Sequence, residues 1–224
     1  MTQIKPAELA PEQMAALLCA RLCHDLVSPV SAMGMAFSVL DDEDADSMRE
    51  DAIELVRENA RQAEAKLEFA RIAFGAAGSA PGIMESDELK RLAENYFSTL
   101  RPDLVWKVSA RGLEKTAARL LLNLCMTAAT SAARGGTVTV EANDDGAGGV
   151  RLHLVAEGPK ADLKPDFEGA LEGHEPEDGF NGRSIQPYYT GLIARSAGGR
   201  VTAQKSEDRV EFVALVAPKA SLAA

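Results

Sequence analysis

Two adjoining stretches carry apolar residues at alternating steps of three and four, and this periodicity limits the fold more than any other feature of the sequence. The first stretch runs over residues 16–40, and the second follows the polar segment DDEDADS at residues 41–47. Such spacing places the apolar residues on one helix face, and its persistence over many turns is typical of a helical bundle. The stripes are Leu18, Leu22, Leu26, Val30, Met33, Phe37 and Leu40, then Ile53, Val56, Ala60, Ala63, Leu67, Ala70 and Phe74.

The short polar segment predicts an antiparallel hairpin of these two helices. Ser47 is placed to cap the second helix, with Glu50 three residues later as in a capping box. One hairpin is too thin to bury both apolar faces, whereas two hairpins from two chains close a four-helix bundle. We therefore expect a homodimer.

The breaker-rich segment GAAGSAPG at residues 75–82 predicts a boundary between two domains, 1–76 and 82–224. Beyond it the pattern mixes helices at 86–100, 114–134 and 186–196 with strands at 104–110, 136–143, 149–157, 199–204 and 209–217. Residues 158–183 are predicted to form a loop. The order favours an α+β fold with helices on one face of a mixed sheet.

Charge and composition exclude several classes of function. The chain has 34 acidic and 24 basic residues and a net charge of -10, which makes nucleic acid or an anionic membrane a poor partner. It shows no run of about 18 apolar residues and no signal-peptide core at its start, so a cytoplasmic location is expected. Cys19, Cys23 and Cys125 are expected to be reduced thiols in packed positions. The spacing C-x-x-x-C-H at residues 19–24 is one residue longer than a haem attachment motif, and no second ligand pair at zinc spacing accompanies it, so neither a haem nor a zinc role is expected.

One histidine stands apart from the apolar stripe. At about 100° per residue, His24 lies about 200° around the helix from Leu22 and Leu26, so it should face solvent. Asp25 follows it directly and can orient the imidazole ring. Ser28 lies one turn later on the same face, and Pro29, which cannot donate to the carbonyl of Asp25, should bend or loosen this turn.

These residues resemble the two-component histidine kinases. HDLVSP is similar to their phospho-acceptor box H-E-x-x-[ST/N]-P in the first helix of a hairpin. LLNLCMTAA, VAEGPKA and SIQPYYTGLIARSAGGRV are similar, in order and spacing, to the N-box, the D-N-G-P-G box and the G-L-G-L helix of their ATP-binding domain. The resemblance covers nearly the whole chain and implies a C-terminal α/β sandwich of the Bergerat-like kind.

The departures from the kinase motifs fall on the positions that hold nucleotide in that family. Asn123 keeps the first N-box position, but Thr127 replaces the magnesium-binding Asn and Ala156 replaces the adenine-reading Asp. Glycines that let the backbone approach phosphates are replaced by Lys160, Ser184 and Gln186. The combination indicates a domain that no longer binds ATP.

A kinase-like bundle that keeps its histidine without an ATP site resembles the ChpT-type histidine phosphotransferases of alphaproteobacterial cell-cycle relays. The resemblance implies a homodimer that takes a phosphoryl group from the receiver of a hybrid kinase of the CckA type. It would pass the group to response-regulator receivers of the CtrA and CpdR types. No cofactor is implied for this chain, because the receiver supplies magnesium.

The resemblance also suggests roles for particular residues. His24 Nε2 would be the nucleophile and leaving group, Asp25 would orient the ring or move its proton, and Ser28 is a lesser catalytic candidate. A docking surface is expected around and below the histidine, formed by Ser31, Ala32 and Met35 with Arg57 and Arg61 from the second helix. An ATP-dependent kinase with divergent motifs, a phosphatase and a non-catalytic adaptor remain the alternatives.

Overall fold

The computed structural model describes residues 6–42, 44–75, 82–144 and 149–217, and it has an α+β architecture as expected. A helical hairpin precedes a layer of helices packed on a sheet. In chain order the elements are α1 (Pro11–Leu40), a 3₁₀ turn (Asp46–Met48), α2 (Arg49–Ala73), β1 (Ile83–Glu85), α3 (Ser86–Phe97), β2 (Pro102–Trp106), β3 (Gly112–Glu114), α4 (Lys115–Ser131), β4 (Gly136–Asp144), β5 (Val150–Glu157), α5 (Pro165–Glu172), α6 (Ile185–Ser196), β6 (Arg200–Ser206) and β7 (Arg209–Val216).

The hairpin is confirmed, but its helix starts differ from the prediction. Helix α1 begins at Pro11, where a proline costs nothing because its missing N–H would be unpaired in the first turn. The capping box at Ser47 is wrong, since Ser47 lies inside the 3₁₀ turn that runs directly into α2. In that turn the N–H of Met48 already donates to the carbonyl of Ala45, so no side-chain cap is used.

The predicted apolar stripes are only partly buried within the single chain. The residues of α1 that are buried are Arg21, Pro29 and Ala36, while Val30 and Phe37 from the stripe are more than half exposed. The prediction that one hairpin cannot bury its apolar faces is therefore correct within the single chain. The largest exposed apolar side chains of the hairpin are Val27, Val30, Met35, Phe37, Met48, Ile53, Leu55 and Leu67.

The second half of the chain contains a five-stranded sheet in the order β2-β4-β5-β7-β6. Strands β2 and β4 are parallel and the other pairs are antiparallel. Alternate residues face the helices and are fully buried, such as Val140, Leu154 and Phe212, while the intervening positions are more accessible. This alternation is the pattern from which the strands were predicted.

Three short elements were missed. Strands β1 and β3 pair with each other and span three residues each, too few to show an alternating pattern. The predicted loop 158–183 is partly wrong because it contains α5, which has Pro165 at its start. Gly173 ends this helix with φ of 99°, the left-handed conformation that glycine adopts without steric cost.

The end of the hairpin packs into the core of the second half. Phe69, Ile72 and Ala73 of α2 join the buried cluster formed by α3, α4 and the sheet. The Asn123 side chain donates from Nδ2 to the carbonyl of Ala73 at 2.6 Å and so caps the last turn of α2. Of the predicted boundary segment, residues 76–81 lie outside the described ranges, and the domain division itself stays a prediction.

The first helix is more exposed than its apolar pattern predicts. Cys125 is buried as expected, but the prediction of packed positions is wrong for Cys19 and Cys23, which are exposed because none of the described residues covers their face of α1. By length and composition α1 also qualifies as a candidate membrane span, with mean hydropathy of 1.2 over its most apolar 18 residues. One such helix is weak evidence, since a bundle helix with an exposed apolar face passes the same test.

Candidate functional site

His24 lies on the exposed side of α1, as predicted. Its side chain is 55% exposed, and its Nδ1 lies 3.2 Å from Oδ1 of Asp25. When Nδ1 carries the ring proton and donates a hydrogen bond to this carboxylate, Nε2 keeps its lone pair. This tautomer leaves an accessible ring nitrogen that can act as a nucleophile.

Asp25 is held by a second charged partner. Its Oδ2 accepts a hydrogen bond from Nε of Arg21 at 2.8 Å, one helical turn earlier. The side chain of Arg21 is only 11% exposed, which strengthens a charge-assisted hydrogen bond relative to one in water. The carboxylate therefore bridges Arg21 and His24 with one oxygen for each.

Pro29 does not interrupt α1, although it removes the N–H that would pair with the carbonyl of Asp25. Lys66 of α2 takes that place and donates from Nζ to the Asp25 carbonyl at 3.3 Å. Sequence reasoning missed Lys66. The signal was a carbonyl left open by the proline, but the partner depends on the hairpin register, which the sequence pattern does not specify.

A cleft of about 480 Å³ lies beside Asp25, between the hairpin and the second half of the chain. Arg21, Lys66 and Arg101 contribute positive charge to its lining, with Asp25 as the acid. Tyr96 of α3 also lines it, and burial raises the pKa of the Tyr96 hydroxyl well above its usual value. The positive charge of Arg21 acts in the opposite direction on this pKa.

The remaining predicted site residues lie on the same side of the hairpin or next to it. Ser28, Ser31 and Met35 are exposed and share the His24 face by helical geometry, and Ala32 is half-buried. The structure shows no hydrogen bond between Ser28 and His24. On α2, Arg61 is exposed, and Arg57 is also exposed and pairs with Glu54 at 3.5 Å. In the antiparallel register set by Lys66 and Asp25, both arginines lie at the level of residues 30–35 of α1.

The positions aligned with the kinase nucleotide site are filled by the protein itself. Gln186 donates from Nε2 to the carbonyl of Asn123 at 2.8 Å and to Oγ1 of Thr190 at 3.0 Å. Its Oε1 lies 3.1 Å from Oγ1 of Thr127. These side chains are almost completely buried, and so is Ala156 on β5. A closed polar network therefore occupies the space between α4 and α6.

Lys160 retains a backbone conformation typical of glycine. Its φ is 59°, in the left-handed region that costs a non-glycine residue about 1 kcal/mol or more. Its N–H donates to Oδ1 of Asp208 at 2.6 Å, so the group is already paired within the chain. Ser184 is buried, and its Oγ accepts a hydrogen bond from the N–H of Asn181 at 3.0 Å. Within the described ranges, no three His, Cys, Asp or Glu side chains come together as a metal site.

An exposed histidine on a helical hairpin, joined to a helix-covered mixed sheet, is the arrangement expected of a histidine phosphotransferase. Residues 86–209 match the family model for the histidine phosphotransferase C-terminal domain. The chain is 35% identical over 211 residues to the protein phosphotransferase ChpT of Brucella abortus (strain 2308), covering 93% of this chain and 98% of that protein. The solved structure of a bacterial phosphotransferase matches with a TM-score of 0.83 and 32% identity, covering 93% of this chain and 98% of that chain. The chain therefore belongs to the family of ChpT-like histidine phosphotransferases, which confirms the resemblance seen in its sequence.

Proposed function

We propose that this protein is a phosphorelay carrier that takes a phosphoryl group from the aspartyl phosphate of one receiver domain and passes it to the aspartate of another. The observation that carries the proposal is the exposed His24 ring, whose Nδ1 is hydrogen-bonded to Asp25. That arrangement leaves Nε2 as the reactive nitrogen.

Each transfer exchanges one bond to phosphorus for another. Nε2 attacks the phosphorus of the donor aspartyl phosphate, an N–P bond forms, and the P–O bond breaks to release the donor carboxylate. The ring then carries positive charge, which Asp25 stabilises through the proton on Nδ1. In the second step an acceptor carboxylate attacks phosphorus and the N–P bond breaks. Alignment and charge stabilisation provide most of the catalysis, and the receiver supplies magnesium.

The proposal includes the loss of ATP binding. The buried network of Asn123, Thr127, Gln186 and Thr190 would have to open before a nucleotide could enter between α4 and α6. Burying the unpaired polar groups left behind costs roughly 1–3 kcal/mol each. Ala156 offers no carboxylate to an adenine amine, so the lost hydrogen bonds have no replacement there.

The proposal also includes a homodimer. The exposed apolar side chains of the predicted stripes, Val30 and Phe37 of α1 with Ile53 and Leu67 of α2, mark a face that a second hairpin can cover in a four-helix bundle. Leu22, Leu67 and Phe74 line an apolar depression on this face. Isologous pairing would bury the same face on both chains.

The partners and location follow from the family resemblance. The donor is proposed to be a receiver of the CckA type, and the acceptors receivers of the CtrA and CpdR types, in the cytoplasm. Ser31, Ala32, Met35, Arg57 and Arg61 are proposed as the docking surface, since they lie on or beside the face that carries His24. Apolar contacts with flanking arginines are common at protein interfaces.

A direct test mixes the protein with a receiver carrying ³²P-labelled aspartyl phosphate. We expect label on the unaltered protein and none on His24→Ala, while His174→Ala, a matched histidine in a loop, is labelled normally. Label on His24→Ala would refute the assignment. No label on the unaltered protein would favour an adaptor, release of label as inorganic phosphate would favour a phosphatase, and labelling by ATP alone would favour a kinase.

A further inference from the structure

We propose that Arg21 is a positioning residue through which the second half of the chain fixes the tautomer and orientation of His24. The inference rests on the proposed role of His24 as the phosphoryl carrier. It gives the domain that has lost its nucleotide site a function in the transfer reaction.

Arg21 is buried beside Asp25 in the cleft between the hairpin and the second half of the chain. Its Nε donates to Asp25 at 2.8 Å, and its guanidinium lies beside the Tyr96 hydroxyl in the same cleft. Only 11% of the Arg21 side chain is exposed, although α1 is otherwise a largely exposed helix. A buried guanidinium with these partners cannot change rotamer without leaving a charge unpaired, so its position is fixed.

Tyr96, which lines the same cleft, is held in place by the core. It lies on α3 and is 6% exposed, and its ring stacks on Phe69 of α2 with 4.1 Å between ring centroids. Phe69 belongs to the main core with the sheet-covering helices. Packing therefore fixes Tyr96 against the core at the cleft that Arg21 and Asp25 also line.

Arg21 determines which carboxylate oxygen of Asp25 faces His24. Because Oδ2 is bonded to Arg21, the carboxylate presents Oδ1 to Nδ1 of His24. A carboxylate at Nδ1 holds the ring proton there and keeps Nε2 free to attack phosphorus. Without Arg21 the carboxylate can rotate, and the ring loses the contact that selects this tautomer.

The other charges near the carboxylate do not replace Arg21. Lys66 bonds the backbone carbonyl of Asp25 rather than its side chain. Arg101 lines the same cleft, but no hydrogen bond or ion pair joins it to Asp25 in the described structure. The guanidinium of Arg21 is thus the group that orients this carboxylate.

The test compares Arg21→Met, Tyr96→Phe and the matched control Arg91→Met. Arg91 forms another ion pair between α3 and α2, to Glu68 at 3.2 Å, and does not touch Asp25. Tyr96→Phe removes only the hydroxyl and keeps the ring that stacks on Phe69, so it serves if Arg21→Met does not fold. Two readouts are used, the His24 tautomer from ¹⁵N NMR of the receiver-free protein and the single-turnover rate of transfer with saturating phosphorylated receiver.

We expect the unaltered protein and Arg91→Met to hold the proton on Nδ1 and to transfer at equal rates. Arg21→Met should mix the two tautomers and slow transfer about 10-fold, as for the loss of a group that orients a functional imidazole, with receiver affinity unchanged. Tyr96→Phe should change both readouts in the same direction by less. An unaltered tautomer and rate in Arg21→Met would overturn the inference. The NMR readout needs no receiver, so failure of the relay itself would be seen separately as absence of transfer to the unaltered protein.

Discussion

Replacing Pro29 with alanine should separate the stability of α1 from its function. The proline is buried and leaves the carbonyl of Asp25 without an intrahelical donor, and Lys66 pairs with that carbonyl from the neighbouring helix. Alanine restores the N–H, so the helix can satisfy the carbonyl internally. The substitution therefore removes the reason for the Lys66 contact.

The expected stability change is small because large effects oppose each other. Alanine is favoured over proline in a helix interior by about 3 kcal/mol. The buried ring contributes roughly 1.6 kcal/mol through two methylene groups, and the Lys66 hydrogen bond contributes about 1 kcal/mol. The variant should therefore be equally stable or more stable by up to about 1 kcal/mol, which raises Tm by no more than roughly 4 °C for a chain of this size.

The same change should slow phosphoryl transfer, because the turn that carries His24 and Asp25 relaxes toward an ordinary helix. The assay is denaturant unfolding measured beside single-turnover transfer from a phosphorylated receiver. If Pro29→Ala transfers as fast as the unaltered protein, the proline has no role in shaping the site.

A double-mutant cycle isolates the physical cause. Lys66→Met leaves the Asp25 carbonyl without its donor and should cost about 1–2 kcal/mol in the unaltered background. In the Pro29→Ala background the same substitution should cost close to nothing, because the carbonyl is already paired. Equal costs of Lys66→Met in both backgrounds would show that the two residues do not act on one carbonyl.

Three further expectations concern assembly, nucleotide and the orienting acid. Leu67→Glu, on the exposed apolar face of α2, should give monomers or unfolded chain by light scattering. The control Leu215→Glu, on β7, should stay dimeric. A stable monomer of the unaltered protein would reject the four-helix bundle. Calorimetry should detect no binding of ATP at millimolar concentration, and tighter binding would contradict the loss of the nucleotide site. Asp25→Asn keeps the size of the side chain but removes its charge, and should slow transfer roughly 10- to 1,000-fold without stopping it; an unchanged rate would remove Asp25 from the site.

Much of the architecture could be predicted because it depends on local periodicity. The apolar steps of α1 and α2 and the alternation in β4, β5 and β7 are visible in the sequence, and the structure confirms these elements. The exposed position of His24 followed from helical geometry alone. Periodicity does not specify which neighbour covers a face, however, so the burial of Pro29 and Ala36 was not expected.

The parts of the site that were missed depend on contacts between residues far apart in sequence. Lys66 reaches Asp25 across the hairpin, and Tyr96 reaches Arg21 from the second half of the chain. Arg21 lies one turn before Asp25, and that spacing predicts an ion pair on a helix. Its burial was not predictable, because it depends on packing between elements that are far apart in sequence.

The most direct test of the relay follows one labelled phosphoryl group through both of its transfers. The protein is labelled by a phosphorylated receiver, separated from that donor, and mixed with a second, unlabelled receiver. We predict that the label is on His24 after the first transfer and on the aspartate of the second receiver after the second transfer. Label that remains on the protein, or that is released only as inorganic phosphate while the second receiver stays unlabelled, would contradict it.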